Sequence, residues 1–377
     1  MKLRISGIII ISYLFICLSG FFSRRPPWLD EIYLINNLKE LRPWELFGPL
    51  RYGQGFPRAY LFIIHNLSSV FNYNVLSLRI LPFIFMLTGF GIWLEIFRKA
   101  RGRGDGYLLF MLCWCGSVYM TYYASEFKHY SADVFAAGVF TYFILKQKES
   151  SGLPCLKAGI ILQYLFLPLL VLFSYTAYFF ILIVAWNLLL LCLRYKRGFL
   201  YLAVYLFSAA AVSFISYNAD LKYTMSTPAL HNYWKGYFIS TSSFGGFMTT
   251  FWEGLRNIFI KWFWKTPPYT WIMTIFMPFA LYYIVRDGIK WFKTDKGLVV
   301  ALDTITAVLL TALFIAGILQ VYPFTAARVT LFIAPFIFYS IIKSIEAFKE
   351  KFFKIYAVLS GVFIFTLVAV SVRIISG

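Results

Sequence analysis

The chain has 377 residues, of which 60% are hydrophobic, 21% aromatic and only 14% charged, against about 25% charged in an ordinary soluble domain. So much apolar surface excludes a freely soluble globule, and the long unbroken apolar runs exclude a membrane β-barrel, whose strands alternate over about ten residues. The net charge of +19 has no polar domain to serve, so the lysines and arginines read as anchors at cytoplasmic helix ends and no nucleic-acid partner is expected.

In chain order, an apolar run over 4–22 follows Met1, Lys2 and Arg4. Ser23-Arg24-Arg25-Pro26 offers no small-x-small cleavage pattern, so the run reads as a first retained helix rather than a signal peptide. A spanning helix needs about 20 mostly apolar residues. Further spans are predicted at 78–97, 107–124, 129–146, 158–173, 175–193, 198–216, 269–286, 299–319, 326–344 and 354–374. The stretch 157–195 is too long for one helix and divides near Ser174. The expected fold is an all-α polytopic membrane protein of about eleven helices, one integral membrane domain over 1–377.

Positive charge sets the orientation. Arg98, Lys99, Arg101 and Arg103 follow the second span, Lys146, Lys148 and Lys157 the fourth, and Arg194, Lys196 and Arg197 the sixth. Arg286, Lys290, Lys293 and Lys296 follow the eighth, and Lys343, Lys349, Lys351 and Lys354 the tenth. These alternate loops share a side with Lys2 and Arg4, which predicts the N-terminus inside and the C-terminus outside. Two long loops, 23–77 and 217–268, then lie outside. Within them 57–71, with Arg58, His65 and Asn66, and 251–264, around Lys261, read as amphipathic interfacial helices. His65 and His231 read as interface residues. No internal repeat of the kind that builds inverted-repeat transporters is visible.

The cysteines Cys17, Cys113, Cys115, Cys155 and Cys192 fall in or beside apolar spans and suggest no disulfide framework. Cys113 and Cys115 read as small core residues.

Three groups of polar residues stand out. Asp30 and Glu31, in Pro27-Trp28-Leu29-Asp30-Glu31, place adjacent carboxylates where the chain leaves the first helix. One can take a proton from an acceptor hydroxyl or amine while the other orients substrate; equally, both can cap the helix that follows, from about Ile32 to Leu41. Tyr122-Tyr123-Ala124-Ser125-Glu126-Phe127-Lys128-His129-Tyr130 joins the third and fourth spans. A helix running through it would put Glu126, Tyr130 and Asp133 on one face and His129 four residues before Asp133. These residues either line a polar cavity or snorkel and cap at the interface. Arg79 and Arg328 stand at outer helix ends, against the topological bias, and need partners: a phosphate, which suits the guanidinium fork, or lipid headgroups. A metal site could draw on Asp30, Glu31, Glu126 and His129, but the spacing demands none and no cofactor is expected. No Walker, dinucleotide-binding or zinc-hydrolase motif occurs.

The order, side and spacing of these motifs resemble the GT-C superfamily of membrane glycosyltransferases. The resemblance is to the branch with the protein O-mannosyltransferases and the bacterial aminoarabinose transferase. It rests on Trp28-Leu29-Asp30-Glu31, Pro57-Arg58-Ala59-Tyr60, Leu78-Arg79-Ile80-Leu81-Pro82 and Ser125-Glu126-Phe127-Lys128-His129-Tyr130. It covers most of 1–216 and returns near 320–336.

The resemblance implies an enzyme that moves a sugar from a polyprenyl-phosphate carrier to a lipid, glycan or protein at the outer face of a bacterial inner membrane. It implies Asp30 as base in an inverting transfer, and Glu31 as a supporting or acceptor-binding group. It implies Lys128, Arg79 and Arg328 at the donor phosphate, and Glu126, His129 and Tyr130 near substrate. Lys128 stands where such enzymes usually carry Arg, which keeps the charge but loses bidentate binding. Acceptor selection falls to the loop 217–268, with Trp234, Tyr237, Trp252, Trp262 and Trp264 as sugar or lipid contacts. A flippase of lipid-linked sugars is the competing reading; it predicts charges spread along several spans, whereas the polar groups here gather at one face. A polysaccharide polymerase or ligase would carry its arginines and histidines in a late loop. A structural subunit would tolerate Asp30→Asn.

Overall fold

Apolar side chains surround α1 (Lys2–Phe22) on all sides: Tyr13 and Cys17 face the protein interior, while Ile8, Ile11 and Phe15 face out. A helix hydrophobic all round belongs in a bilayer or a large core. The computed structural model describes residues 2–23, 25–149, 158–195, 198–263, 266–294 and 301–349. Every regular element among them is helical.

After α1 come α2 (Leu29–Glu40) and α3 (Arg58–Ser69) in the first long loop, then α4 (Val75–Arg101). Then follow α5 (Asp105–Gly116), α6 (Val118–Tyr122), α7 (Tyr130–Glu149) and α8 (Ala158–Phe166), the last continued by a 3-10 turn over Leu167–Leu172. Next are α9 (Ala177–Tyr195) and α10 (Phe199–Ser216). The second loop carries a π turn at Tyr217–Leu221, α11 (Lys222–Ser226), α12 (Pro228–Trp234) and α13 (Phe244–Phe259). The chain then returns through α14 (Pro267–Thr294), α15 (Leu302–Ile318) and α16 (Ala334–Lys349).

Among the described residues, six helical stretches are long and apolar enough to cross a membrane: Ile5–Phe22, Val75–Arg101, Ala177–Arg194, Phe199–Ser226, Pro267–Trp291 and Leu331–Lys349. Asp105–Gly116, Gly159–Leu172 and Leu302–Ile318 are shorter apolar helices. The chain is an integral membrane protein. Each predicted span but one overlaps helix, although 326–344 becomes helical only from Leu331, which leaves Arg328 in the turn before it. The exception, 354–374, lies outside the described residues. Two spans are broken rather than continuous. The span 107–124 divides at Ser117, whose side chain caps α6 by accepting the Met120 N–H. The span 158–173 tightens into a 3-10 turn at Pro168, which cannot donate to an α-helical ladder. The divide expected near Ser174 falls between that turn and α9.

The bundle has two distinct ends. Both long loops gather at one, the loop end; the basic helix termini gather at the other. Small residues let the central helices close up. A Cβ at Gly89 would meet the Phe135 backbone at 3.4 Å, and one at Gly138 the Trp93 indole nitrogen at 2.9 Å. The Trp93 indole donates to the Val134 carbonyl (3.1 Å), fixing α4 on α7. At the basic end, Lys343 of α16 bonds Asp287 of α14 and, at 2.8 Å, Asp303 of α15. Arg101 pairs with Glu346 at 2.8 Å, and Lys349 with Asp105.

At the loop end α3 is one-sided, as its sequence predicts. Tyr60, Leu61, Ile64 and His65 are buried; Ile63 is exposed. Its apolar face packs on a separate cluster with Leu34, Leu38, Phe56, Leu78 and Phe127. Helix α13 is likewise one-sided: Leu255, Ile258 and Phe259 are buried, and Phe244, Trp252, Glu253 and Arg256 are exposed.

Candidate active site

Trp28 has extended backbone and starts α2. Glu31 closes that start. Its Oε2 accepts the Trp28 N–H at 3.1 Å, a capping-box bond. Its Oε1 accepts the Phe127 N–H at 2.7 Å. Glu31 is buried and both oxygens bind backbone, so it clamps the first loop to the turn between α6 and α7. Of the two capping and catalytic readings of the acidic pair, Glu31 follows the first.

The neighbouring Asp30 is different. Its carboxylate is one-third exposed. Lys128 Nζ lies 3.5 Å and Arg328 Nη1 3.9 Å from its Oδ2. Neither contact is a hydrogen bond, so lone pairs stay available to an incoming proton donor. Lys128 is held in place because the Tyr60 hydroxyl donates to its carbonyl (3.2 Å). Burial pushes the Lys128 ammonium below its ordinary value, and Asp30 partly offsets that. Segments near 30, 128 and 328, remote in sequence, thus converge on one carboxylate.

Arg328 is covered by aromatic rings. Its Nη2 donates to the Tyr233 hydroxyl. Its guanidinium carbon stands 5.2 Å from the Trp234 ring centroid, 5.6 Å from that of Tyr233 and 5.7 Å from that of Trp28. Helix α13 and the turn after it carry the segment that presents Arg328. Asn257 Nδ2 donates to the Thr325 carbonyl (2.6 Å), and the Trp262 indole to the Ala327 carbonyl (2.9 Å).

None of the other expected site residues forms an ion pair with Asp30, though Tyr130 lies within the electrostatic reach of both Asp30 and Arg328. Arg79 is 1% exposed. Its terminal nitrogens donate to the carbonyls of Phe21 (3.1 Å), Ser23 (2.7 Å) and Arg25 (2.9 Å). The expected phosphate ligand is engaged with the backbone that links α1 to α2. Glu126 does not share a face with Tyr130 and Asp133, because α7 begins only at Tyr130 and Glu126 sits in the preceding turn. It is fully buried, with neither oxygen hydrogen-bonded, and its nearest cation is Arg25 at 3.5 Å. Burial, with the Glu31 charge beside it, pushes its carboxyl up to about 7. His129 Nε2 lies 3.9 Å from Asp133, whose Oδ1 accepts from Ser174 (2.6 Å). Tyr130 is buried edge-on to Tyr123, centroids 4.8 Å apart. No three His, Cys, Asp or Glu side chains among the described residues converge as a metal site would require.

Sequence reasoning missed Arg25, read only as part of a poor cleavage site, and Tyr233. It also missed a buried pair: Arg58 Nε lies 3.7 Å from Asp220 in the π turn. Asp220 also accepts from Tyr175 (2.7 Å) and Thr224 (3.0 Å). The signal for Arg25 and Arg58 was the one used for Arg79: a cation at the loop end, against the topological bias.

The sequence matches no protein-family model and no curated protein. The structure matches the crystal structure of ArnT from Cupriavidus metallidurans bound to undecaprenyl phosphate, with a TM-score of 0.51 at 12% identity. The match covers 90% of this chain and 60% of that one. The chain has the ArnT fold. The polytopic helical architecture expected from the sequence is therefore matched at the level of the fold. The chain spans about 60% of ArnT's length.

Proposed function

We propose that this protein is a glycosyltransferase of the GT-C type, moving a sugar from a polyprenyl-phosphate donor to an acceptor at the loop end, with Asp30 as general base. The observation that carries the reading is the placement of Asp30 between Lys128 and Arg328, near both but hydrogen-bonded to neither. Asp30 takes the proton of an acceptor hydroxyl or amine. The acceptor atom attacks the anomeric carbon as the bond from that carbon to the phosphate oxygen breaks. The polyprenyl phosphate leaves with the electron pair, and Lys128 and Arg328 meet its charge. Attack opposite the leaving group inverts the anomeric centre.

A lipid donor also suits the surroundings. An apolar cleft of about 580 Å³ runs between α9, α10 and α15, lined by Phe179, Leu182, Trp186, Leu206 and Val308. Leu182 is 70% exposed, so the cleft opens sideways to the bilayer. Phe179 packs edge-on against Tyr322 at 5.5 Å. The Tyr322 hydroxyl donates to the carbonyl of Val329, next to Arg328 (2.7 Å). A prenyl tail in the cleft would bring its phosphate toward that segment. By the charge rule, the loop end is the outer face.

Purified protein in lipid vesicles, supplied with a panel of polyprenyl-phosphate sugars, tests the reading through carrier release. Asp30→Asn is expected to lower sugar-dependent release by about 10²–10⁴-fold, the usual weight of a general base, with the melting profile retained. Release that Asp30→Asn leaves intact would remove Asp30 from the chemistry. Carriers that cross the bilayer unhydrolysed, in wild type and Asp30→Asn alike, would identify a flippase instead.

A further inference from the structure

The transfer step uses one carboxylate and two cations, and gives a neighbouring group of aromatic rings no part in the chemistry. Trp28, Tyr233 and Trp234 turn toward the Arg328 guanidinium, at centroid distances of 5.7, 5.6 and 5.2 Å. They come from opposite parts of the chain, Trp28 from the start of α2 and the other two from α12. Trp28 is 41% exposed and Tyr233 51%, so a core role does not explain those two, while Trp234 is half-buried against the main apolar cluster. Tyr237 extends the group, its ring 5.4 Å from that of Trp234.

A membrane-interface belt is the ordinary reason for exposed tryptophan and tyrosine. Belt rings need not converge. These three converge on a cation 3.9 Å from Asp30. Aromatic faces beside a guanidinium and a carboxylate match one chemistry closely. A pyranose ring has an apolar C–H face that stacks on aromatic rings, and hydroxyls that bond charged groups at its edge. An alkyl chain would use the rings but not the charges. An ammonium group alone would use the carboxylate but be repelled by Arg328.

The position also separates acceptor from donor. Lys128, 7% exposed, marks the buried side of Asp30. The exposed rings mark the open side, from which an acceptor delivers its proton to Asp30. We infer that Trp28, Tyr233 and Trp234 form an acceptor subsite for a sugar ring, so that the acceptor is a carbohydrate or the sugar headgroup of a glycolipid. This rests on the transferase reading for its place in the reaction, but not for the binding itself.

Two measurements on the full chain in lipid vesicles test it separately. In the first, soluble methyl glycosides and short oligosaccharides are titrated while tryptophan fluorescence is followed. A saturable change in wild type, lost in Trp28→Ala and kept in Trp28→Phe with a weaker midpoint, is expected. In the second, carrier release to water is compared with transfer to the glycoside. Trp28→Ala and Tyr233→Ala are expected to lower the ratio of transfer to hydrolysis about tenfold through KM, the order of one or two lost aromatic-face contacts. Tyr233→Phe, which keeps the face and loses the hydroxyl, is expected to retain most of that ratio. Equal loss of transfer and hydrolysis in the alanine variants would overturn the proposal, because the rings would then only position Arg328. So would turnover of donor by wild type with no glycoside bound or used. Ring-dependent glycoside binding without turnover of any donor would instead sink the transferase reading and leave the sugar subsite standing.

Discussion

Adjacent carboxylates at 30 and 31 divide their duties by what surrounds them. Glu31 has two backbone N–H donors waiting, one in its own helix start and one in the turn at Phe127. Asp30 has only cations at a distance. The sequence showed the pair but could not divide it, because the Phe127 N–H comes from a segment 96 residues away. Arg79 is the converse case. Its position against the charge bias correctly announced a partner, but the partner is a row of carbonyls exposed where α1 ends and no helix continues to satisfy them. Glu126 supplies a pH prediction. Burial, then the Glu31 charge, raises its carboxyl from 4.5 to about 7. An acid whose folded pKa is raised binds more protons folded than unfolded between those two values. The stability it contributes is complete below about 4.5 and is lost as pH rises through about 7. Glu126→Gln removes the titration. Melting temperatures taken across that interval are expected to decline for wild type and to stay nearer level for the variant. Parallel curves would show that Glu126 does not titrate there.

Among elements, α13 has the clearest consequence. The sequence suggested an interfacial helix from its aromatic content, over 251–264. The helix begins earlier, at Phe244, where Ser243 caps it by accepting the Gly246 N–H (3.0 Å). Its inward face does more than bury apolar area. Asn257 and, beyond the helix, Trp262 bond the carbonyls of Thr325 and Ala327. Gly254 has no room for a Cβ, because the Phe324 ring occupies that space. Gly254→Ala must therefore displace Phe324 and the segment leading to Arg328. An overpacked substitution of this kind costs about 1–3 kcal/mol. Carrier release is expected to fall while secondary structure by circular dichroism is retained, and a variant with wild-type release would show that α13 does not hold Arg328 in place. The helix breaks at Ser117 and Pro168 had local signals, a capping hydroxyl and a missing donor. They were overridden by the continuous apolar run, which reports burial in lipid but not helix continuity.

For the whole molecule, hydropathy and charge bias together made most of the architecture legible. The bilayer forces every spanning backbone into helices, and short basic loops order them. The assembly of the site was less legible. The resemblance grouped Asp30 with Lys128, Arg79 and Arg328 and named Trp234 as a sugar or lipid contact; the structure brings Asp30, Lys128, Arg328 and Trp234 together and leaves Arg79 on backbone carbonyls. The Arg58–Asp220 pair joins the two long loops, and nothing local in the sequence linked them. At the opposite end, Lys343 ties α14 and α15 to α16, while Arg101 and Lys349 tie α4 and α5 to α16. Bonds that tie one long apolar helix to another open less often than those within loops. Amide exchange is therefore expected to be slower around 287, 303 and 343 than around 30, 128 and 233, and the reverse order would place the yielding part of the bundle at its basic end. A molecule held among Asp30, Lys128 and Arg328 would then slow exchange at the loop end far more than at the basic end, since it adds ties where the bundle has fewest between its spanning helices.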